Sequence, residues 1–177
     1  LRPLAKPWLV WLVFVASLWP VAAAWEARTF PSLQEMARRQ EARAEAVLLT
    51  QTADFLRSQP RGGVLAPWWI SPSLARQSGL PMVGGTSHQS LPGTVDTARF
   101  FLSEDDAAAF AQLGLRQVKY VVTDAPERVV STSAALLGIP APRDPLIVRL
   151  ARGRKVPDFL QPVFANPYFR VYKVRDE

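Results

Sequence analysis

The stretch from Val64 to Val122 decides the fold. It begins with Val64-Leu65-Ala66-Pro67-Trp68-Trp69. These first six residues are apolar and predict a buried strand that ends in a tryptophan pair. Strand and helix signals then alternate: a helix over 71–79, a strand at 81–83, a Gly-rich polar loop at 84–89, an Ala-rich helix and a strand at 117–123. This alternation predicts an α/β fold in which helices cover a small, mostly parallel sheet.

The segments around this stretch extend the same pattern. Ser32 and Glu35 form a capping box that should begin a long amphipathic helix ending at Arg57. Two apolar runs on either side of Asn166-Pro167 predict a C-terminal hairpin. Further helices are predicted over 94–102, 103–114 and 126–138, followed by a Pro-rich linker at 139–145.

The composition limits the classes of function. Hydrophobic residues make up 49% of the 177 residues, which is enough for a packed core. Cysteine is absent and histidine occurs once, so disulfides and a thiolate nucleophile are excluded and a zinc site is disfavoured. The net charge is +6, but the basic residues are scattered, and the densest group, Arg149 to Lys155, has no interleaved aromatics. We therefore expect no nucleic-acid partner.

The N-terminal segment Pro7 to Trp25 contains no charged residue. A helix of this length spans about 30 Å, the thickness of a bilayer core. Because Arg2 and Lys6 precede it, the positive-inside rule predicts a helix in the cell inner membrane with the residues after Trp25 on the exported side. A cleaved signal peptide ending near Ala22–Ala24 is the alternative. Both interpretations export the rest of the chain.

Three regions follow from these signals. Residues 1–28 are the predicted transmembrane helix with its flanks, 29–61 a connecting amphipathic helix, and 62–177 the exported α/β domain. The chain begins with Leu1 rather than Met, which favours a C-terminal piece of a longer protein.

Two features are candidate binding elements. Trp68 and Trp69 lie at a strand end, where one ring can enter the core and the other can face the edge of the sheet. The loop 84–93 carries Ser87 and His88 and follows a strand, the place where open α/β sheets bind ligands. Simple aromatic packing and a plain connection are the alternative interpretations.

Two other constellations have weaker support. Ser87 and His88 with Asp96 or Asp124 could form a hydrolase triad, but no Gly-x-Ser-x-Gly elbow is present. The acidic run Glu104-Asp105-Asp106 could bind Mg²⁺ or Ca²⁺, but its position at a predicted helix start favours capping.

Three segments together resemble the exported C-terminal region of GT-C membrane glycosyltransferases, closest to the catalytic subunits of oligosaccharyltransferases and their bacterial relatives. Trp68-Trp69 match the pair of the family's Trp-Trp-Asp-Tyr-Gly motif. Lys119-Tyr120-Val121-Val122 matches a later strand, and the run Phe169 to Val174 resembles the closing strand. The resemblance implies that Trp68, Trp69, Ser87 and His88 face an acceptor.

The chain departs from this motif directly after the tryptophans. Ile70 replaces the Asp that helps to hold the acceptor hydroxyl, and Ser71-Pro72 replace Tyr-Gly. The resemblance further implies that the catalytic carboxylates and a divalent metal belong to a multi-span membrane part, so no catalytic residue, metal site or cofactor is expected in this chain.

We therefore expect an acceptor-side domain of a polytopic glycosyltransferase, whose partners are the membrane, a lipid-linked sugar donor and a peptide or glycan acceptor. A non-enzymatic exported binding or assembly module, anchored or secreted by the N-terminal segment, is the alternative.

Overall fold

The computed structural model describes residues 7–175 and separates the chain into two compact units, Leu1–Ala44 and Glu45–Glu177. Arg2 and Lys6, on which the predicted membrane orientation rests, lie outside the described residues. The predicted region boundaries at 28/29 and 61/62 remain predictions.

The first unit contains helix α1 (Pro7–Thr29), which continues through Pro20. Its stretch Trp8–Trp25 is long and apolar enough to cross a membrane, and it is the one such helix among residues 7–175. Its apolar side chains are exposed, with Trp19 at 74% and Trp25 at 72%. A signal sequence has the same length and composition, so both sequence interpretations stand.

Helix α2 (Leu33–Arg57) begins where the capping box predicts. The Glu35 N–H donates to Ser32 Oγ at 3.2 Å, and Arg39 Nε donates to Glu35 Oε1 at 2.9 Å. The helix runs across the division between the two units, and its buried residues, beginning with Leu49, belong to the second.

Within the second unit the described strands form one mixed sheet of order β1-β2-β4-β3. Its strands are β1 (Gly63–Leu65), β2 (Val118–Thr123), β3 (Leu160–Ala165) and β4 (Arg170–Val174). Only β1 and β2 run parallel, because the predicted C-terminal hairpin is present and places β4 antiparallel to both β2 and β3. The α/β class is confirmed, and the expectation of a mostly parallel sheet is wrong.

Two predicted strands are shorter than expected. The strand at 64–69 ends at Leu65, since Pro67 has no N–H to donate and Trp68 and Trp69 enter a turn. The strand at 81–83 is reduced to one parallel bridge between Met82 and Val64.

The remaining helices cover the sheet. They are α3 (Ser71–Ser78), α4 (Leu91–Leu102), α5 (Asp106–Leu115), α6 (Pro126–Leu137) and α7 (Leu146–Arg152). Helix α7 follows the predicted Pro-rich linker and was not predicted.

Two hydrophobic clusters lie on opposite faces of the sheet, as the alternation along β2 requires. Tyr120 and Val122 pack with residues of α2 and α3, and Val121 packs with residues of α4 to α7. This arrangement leaves the ends of β1 and β2 at one edge of the sheet, where the candidate site lies.

Candidate functional site

The site is built where the two parallel strands end. Parallel strands deliver their carboxyl ends to the same edge of a sheet. Here Trp69 follows β1 and Asp124 follows β2, so residues 55 positions apart meet: Trp69 Nε1 donates to Asp124 Oδ2 at 2.7 Å.

Asp124 is a buried carboxylate, 3% exposed, with both oxygens engaged. Its Oδ1 accepts from the Ala125 N–H at 2.7 Å, directly before α6. A buried carboxylate needs such donors, because its desolvation without hydrogen bonds costs roughly several kcal/mol. The carboxylate therefore ties the Trp69 ring to the start of α6.

Trp69 is also held on its face. The Arg128 guanidinium, in the first turn of α6, lies 4.6 Å from the centre of the Trp69 ring. Arg128 Nη1 also lies 4.0 Å from Glu45 Oε1 in a partly exposed ion pair. The distance between the Arg128 guanidinium and the Trp69 ring is that of a cation–π contact, which favours this orientation of the indole plane.

Trp68 is the more accessible member of the pair, at 38% exposure. Its ring stands nearly perpendicular to Trp69, with centroids 5.6 Å apart, so the two rings form an edge-to-face pair. Trp68 lines a cleft of about 410 Å³. The other lining residues are Gly85, Thr86, Ser87, His88, Leu91, Thr94, Thr132, Ala135 and Leu136.

The loop that carries Ser87 and His88 is fastened to α4. Thr94 Oγ1 accepts from the Gly85 N–H at 3.3 Å and lies 3.1 Å from the Gly85 carbonyl oxygen. Ser90 Oγ donates to the Ser87 carbonyl oxygen at 2.7 Å and closes a short 3₁₀ turn over 88–90. The loop is thus an ordered wall of the cleft.

A glycine permits this attachment. A Cβ built on Gly93 would lie 1.8 Å from the carbonyl oxygen of Val83, closer than any non-bonded contact allows. The first turn of α4 can therefore approach the residues before the loop only because position 93 has no side chain.

Three of the four residues predicted to face an acceptor line the cleft. Trp68, Ser87 and His88 lie along it, whereas Trp69 is not among its lining residues and supports Trp68 from behind. Their role in acceptor binding remains a prediction.

Ile70 occupies the position where the resembled family carries its motif Asp. The side chain is 3% exposed and packs in the cluster that contains Leu49 and Leu74. An apolar residue at this position therefore serves the core and does not face the cleft.

The hydrolase hypothesis is not supported by the positions of the carboxylates. Arg116 Nε donates to Asp96 at 2.9 Å, and Asp124 accepts from Trp69. Both candidate third members are thus bonded to partners other than His88.

The acidic run diverges to three separate partners. Asp105 Oδ1 accepts from the Ala107 N–H at 2.9 Å, which confirms the predicted helix cap. Asp106 accepts from Arg149 at 2.6 Å, and Glu104 accepts from the Asp144 N–H at 2.7 Å. Among residues 7–175 no three His, Asp or Glu side chains are grouped closely enough to hold a metal ion.

Sequence reasoning missed the residues that shape the site from α4 and α6. The sequence suggests Asp124 only as a triad member, although its place directly after a predicted strand is a second signal. Arg128, Thr132 and Leu136 recur at helical spacing along α6, a signal that becomes meaningful once α6 is known to border the loop.

No protein-family model and no curated protein matches the chain. It is similar to two crystal structures of the C-terminal globular domain of oligosaccharyltransferase from Archaeoglobus fulgidus. The first has 16% sequence identity and a TM-score of 0.58, and the match covers 71% of this chain and 95% of that domain. The second also has 16% identity, with a TM-score of 0.49 and coverage of 73% and 93%.

The first of these likenesses shows a shared fold. The resemblance inferred from three short sequence segments is thereby confirmed for the fold of the domain, and membership of the GT-C class remains a prediction.

Proposed function

We propose that this chain carries the exported, acceptor-side domain of a membrane glycosyltransferase that uses a lipid-linked sugar donor. The observation that carries the proposal is the fold shared with the C-terminal domain of an oligosaccharyltransferase. The apolar helix α1 supports it, since such an enzyme acts at a membrane.

The cleft beside Trp68 is the proposed acceptor site. An indole ring packs on the C–H face of a sugar or on an apolar peptide side chain, and hydroxyl groups fix orientation by hydrogen bonds. Trp68, Leu91 and Leu136 supply the apolar wall, and Ser87 and His88 supply polar groups. The acceptor is a peptide or glycan held without a carboxylate at position 70.

The chemistry belongs elsewhere in this proposal. The donor, and a divalent metal if the enzyme uses one, bind in a multi-span part in the inner membrane, and this chain presents the acceptor on the exported side. This division explains why the cleft offers binding groups without a nucleophile–base–carboxylate arrangement.

The direct test is Trp68→Ala, introduced into the native gene, with Leu115→Ala as the matched control. Leu115 is an exposed apolar residue outside the cleft. Membranes from each strain are assayed for sugar transfer from the lipid-linked pool, with products identified by mass spectrometry. We expect Trp68→Ala to lower transfer roughly tenfold or more, as loss of a central aromatic contact does. Equal transfer in both strains would exclude the cleft as the acceptor site.

A second measurement separates this proposal from a secreted binding module. Cell fractions are probed with an antibody against the C-terminal residues. A membrane-bound product far heavier than the 19.6 kDa of this chain supports the glycosyltransferase. A soluble exported product slightly below that mass indicates a cleaved signal peptide and overturns it.

A further inference from the structure

A row of apolar side chains at the start of α2 is open to solvent. Phe30 is 78% exposed, Leu33 82% and Met36 41%, and Ala37 is exposed beside them. We call these four residues the apolar stripe. Large exposed side chains this close together are unusual on a soluble surface and indicate a partner.

The stripe lies ahead of the part of α2 that packs into the core, which begins at Leu48. At about 100° per residue, Leu33, Met36 and Ala37 share one side of the helix. The buried residues Leu49, Thr52, Ala53 and Leu56 recur about half a turn away, whereas Leu48 and Phe55, which pack against the same cluster, lie on the side of the stripe. None of the four stripe residues belongs to a described hydrophobic cluster, so the stripe needs a cover other than the core.

Chain connectivity indicates which surface this is. Helix α1 ends at Thr29 and α2 begins at Leu33, so the first turn of α2 lies within about 14 Å of the end of α1. Trp25, in the last turns of α1, is a residue typical of the membrane–water interface. If α1 spans the bilayer, the stripe is within reach of the headgroup region.

The charged residues of α2 fit the same location. Arg38, Arg39 and Arg43 are exposed outside the stripe, against Glu35, which pairs with Arg39, and Glu41, so this segment keeps a net positive charge. Long basic side chains beside an apolar face can extend to lipid phosphates while the apolar face enters the acyl boundary.

We propose that the apolar stripe lies in the membrane interface, against the leaflet in which α1 ends, so that α2 begins as an interfacial helix. The inference rests on the membrane anchoring in the proposed function. It assigns a lipid surface as the partner of residues 30–37 and gives the exported domain a fixed starting point at the bilayer.

The absence of cysteine makes the test direct, because a single introduced cysteine is the only labelling site. The full chain is reconstituted in vesicles of phosphatidylethanolamine and phosphatidylglycerol. Spin labels are placed one at a time by Leu33→Cys, Met36→Cys and Ala42→Cys, and Val13→Cys reports on α1. Ala42 lies about half a turn from Leu33 and is exposed, so it is the matched control.

Collisions with oxygen and with a water-soluble nickel chelate are measured for each label by power saturation. We expect labels at positions 33 and 36 to collide more often with oxygen than with the chelate, as labels in lipid do. The label at position 42 should collide more often with the chelate. Dominance of the chelate at 33 and 36 would overturn the inference, because the stripe would then lie in water. Protection from both reagents would also overturn it and indicate a protein cover.

The label at Val13 separates this inference from the proposed function. A label in lipid at position 13 together with labels in water at positions 33 and 36 would support the membrane anchor and contradict only the interfacial helix. An aqueous label at position 13 removes the anchor itself.

A variant tests the role of the apolar side chains. Phe30→Ser with Leu33→Ser should shift the label at position 36 from oxygen-dominated to chelate-dominated, and Ala42→Ser should leave it unchanged. Both variants alter exposed positions, so the helix should persist. An unchanged label in the double variant would mean that Phe30 and Leu33 do not hold the segment in the interface.

Discussion

At the scale of single residues, the contact between Trp69 and Asp124 joins a buried carboxylate to the ring that packs behind Trp68. Trp69→Phe keeps most of the ring but removes the donor to Asp124 Oδ2. A buried carboxylate that loses a donor costs about 1–3 kcal/mol. We expect the free energy of opening of the domain to fall by that amount, measured by hydrogen exchange of β2 peptides in the full chain in micelles.

Trp68→Phe is the control for this prediction, because Trp68 is partly exposed and its indole N–H makes no hydrogen bond among residues 7–175. Its effect should stay within about 0.5 kcal/mol. Equal losses in the two variants would show that ring size, and not the carboxylate, determines the cost.

Tyr172 predicts a pH effect. Its hydroxyl donates to the Leu150 carbonyl oxygen at 2.6 Å, and burial raises the pKa of Tyr172, with the nearby Arg170 charge acting in the opposite direction. Because the folded state holds the proton more tightly, this contribution to stability is complete below the ordinary tyrosine pKa, about 10, and is lost as the pH rises through the raised pKa.

Tyr172→Phe should therefore lower the free energy of unfolding by about 1 kcal/mol near neutral pH, through the lost hydrogen bond. The difference in the free energy of unfolding between the variant and the unaltered protein should shrink above about pH 10. Thermal unfolding at a series of pH values measures this difference. Tyr168→Phe, at an exposed position, should change the neutral-pH value by less than about 0.5 kcal/mol. A difference that grows with pH would contradict the assignment.

A site residue could be predicted from the sequence when its role depends on a local pattern, and not when it depends on long-range packing. Trp68, Ser87 and His88 were found because a strand end and a polar loop can be recognised locally. The roles of Asp124 and Arg128 depend on their contacts with Trp69, which follows β1, and no local pattern contains such a long-range contact.

At the scale of elements, the junction between the loop and α4 depends on one glycine. Gly93→Ala would place a Cβ 1.8 Å from the Val83 carbonyl oxygen, so the loop must move away from α4. We expect a loss of about 1–3 kcal/mol in domain stability, as for other overpacked sites, and greater hydrogen exchange over residues 84–90.

Gly114→Ala is the matched control. It lies in α5 with nothing within 4 Å of a built Cβ and without a positive φ. Alanine is the better helix former, so this substitution should raise stability by about 0.5–1 kcal/mol. Similar effects of the two substitutions would mean that the close approach at Gly93 is not essential.

Among the elements, helices with clear start and stop signals were predicted and α7 was not. Helix α6 opens at Pro126 and closes at Gly138 in the left-handed conformation, both of which are readable from sequence. Helix α7 also ends at a left-handed glycine, Gly153, but it has only seven residues and is held by Leu146, Ile147 and Leu150 packing into the core. Its existence depends on tertiary packing.

At the scale of the whole molecule, the order of the strands could not be predicted from the order of signals. Alternating strands and helices suggested parallel pairing, but the closing hairpin contributes β4 to the middle of the sheet. Because β4 lies between β2 and β3, the last described strand of the chain completes the core that the earlier elements begin.

This topology makes a prediction about independent folding. Glu45–Glu177 is one compact unit, so a chain that begins at Ser32 should be soluble and should unfold in urea in one cooperative transition, measured by far-UV circular dichroism.

The same chain ended at Ala165 loses β4 and with it the fully buried Phe169, Val171 and Tyr172. Since removal of one such side chain costs about 2–5 kcal/mol and a domain has only about 5–15 kcal/mol in total, the shorter chain should show no cooperative transition. A cooperative transition in it would mean that β1, β2 and the helices form a stable core without the central strand.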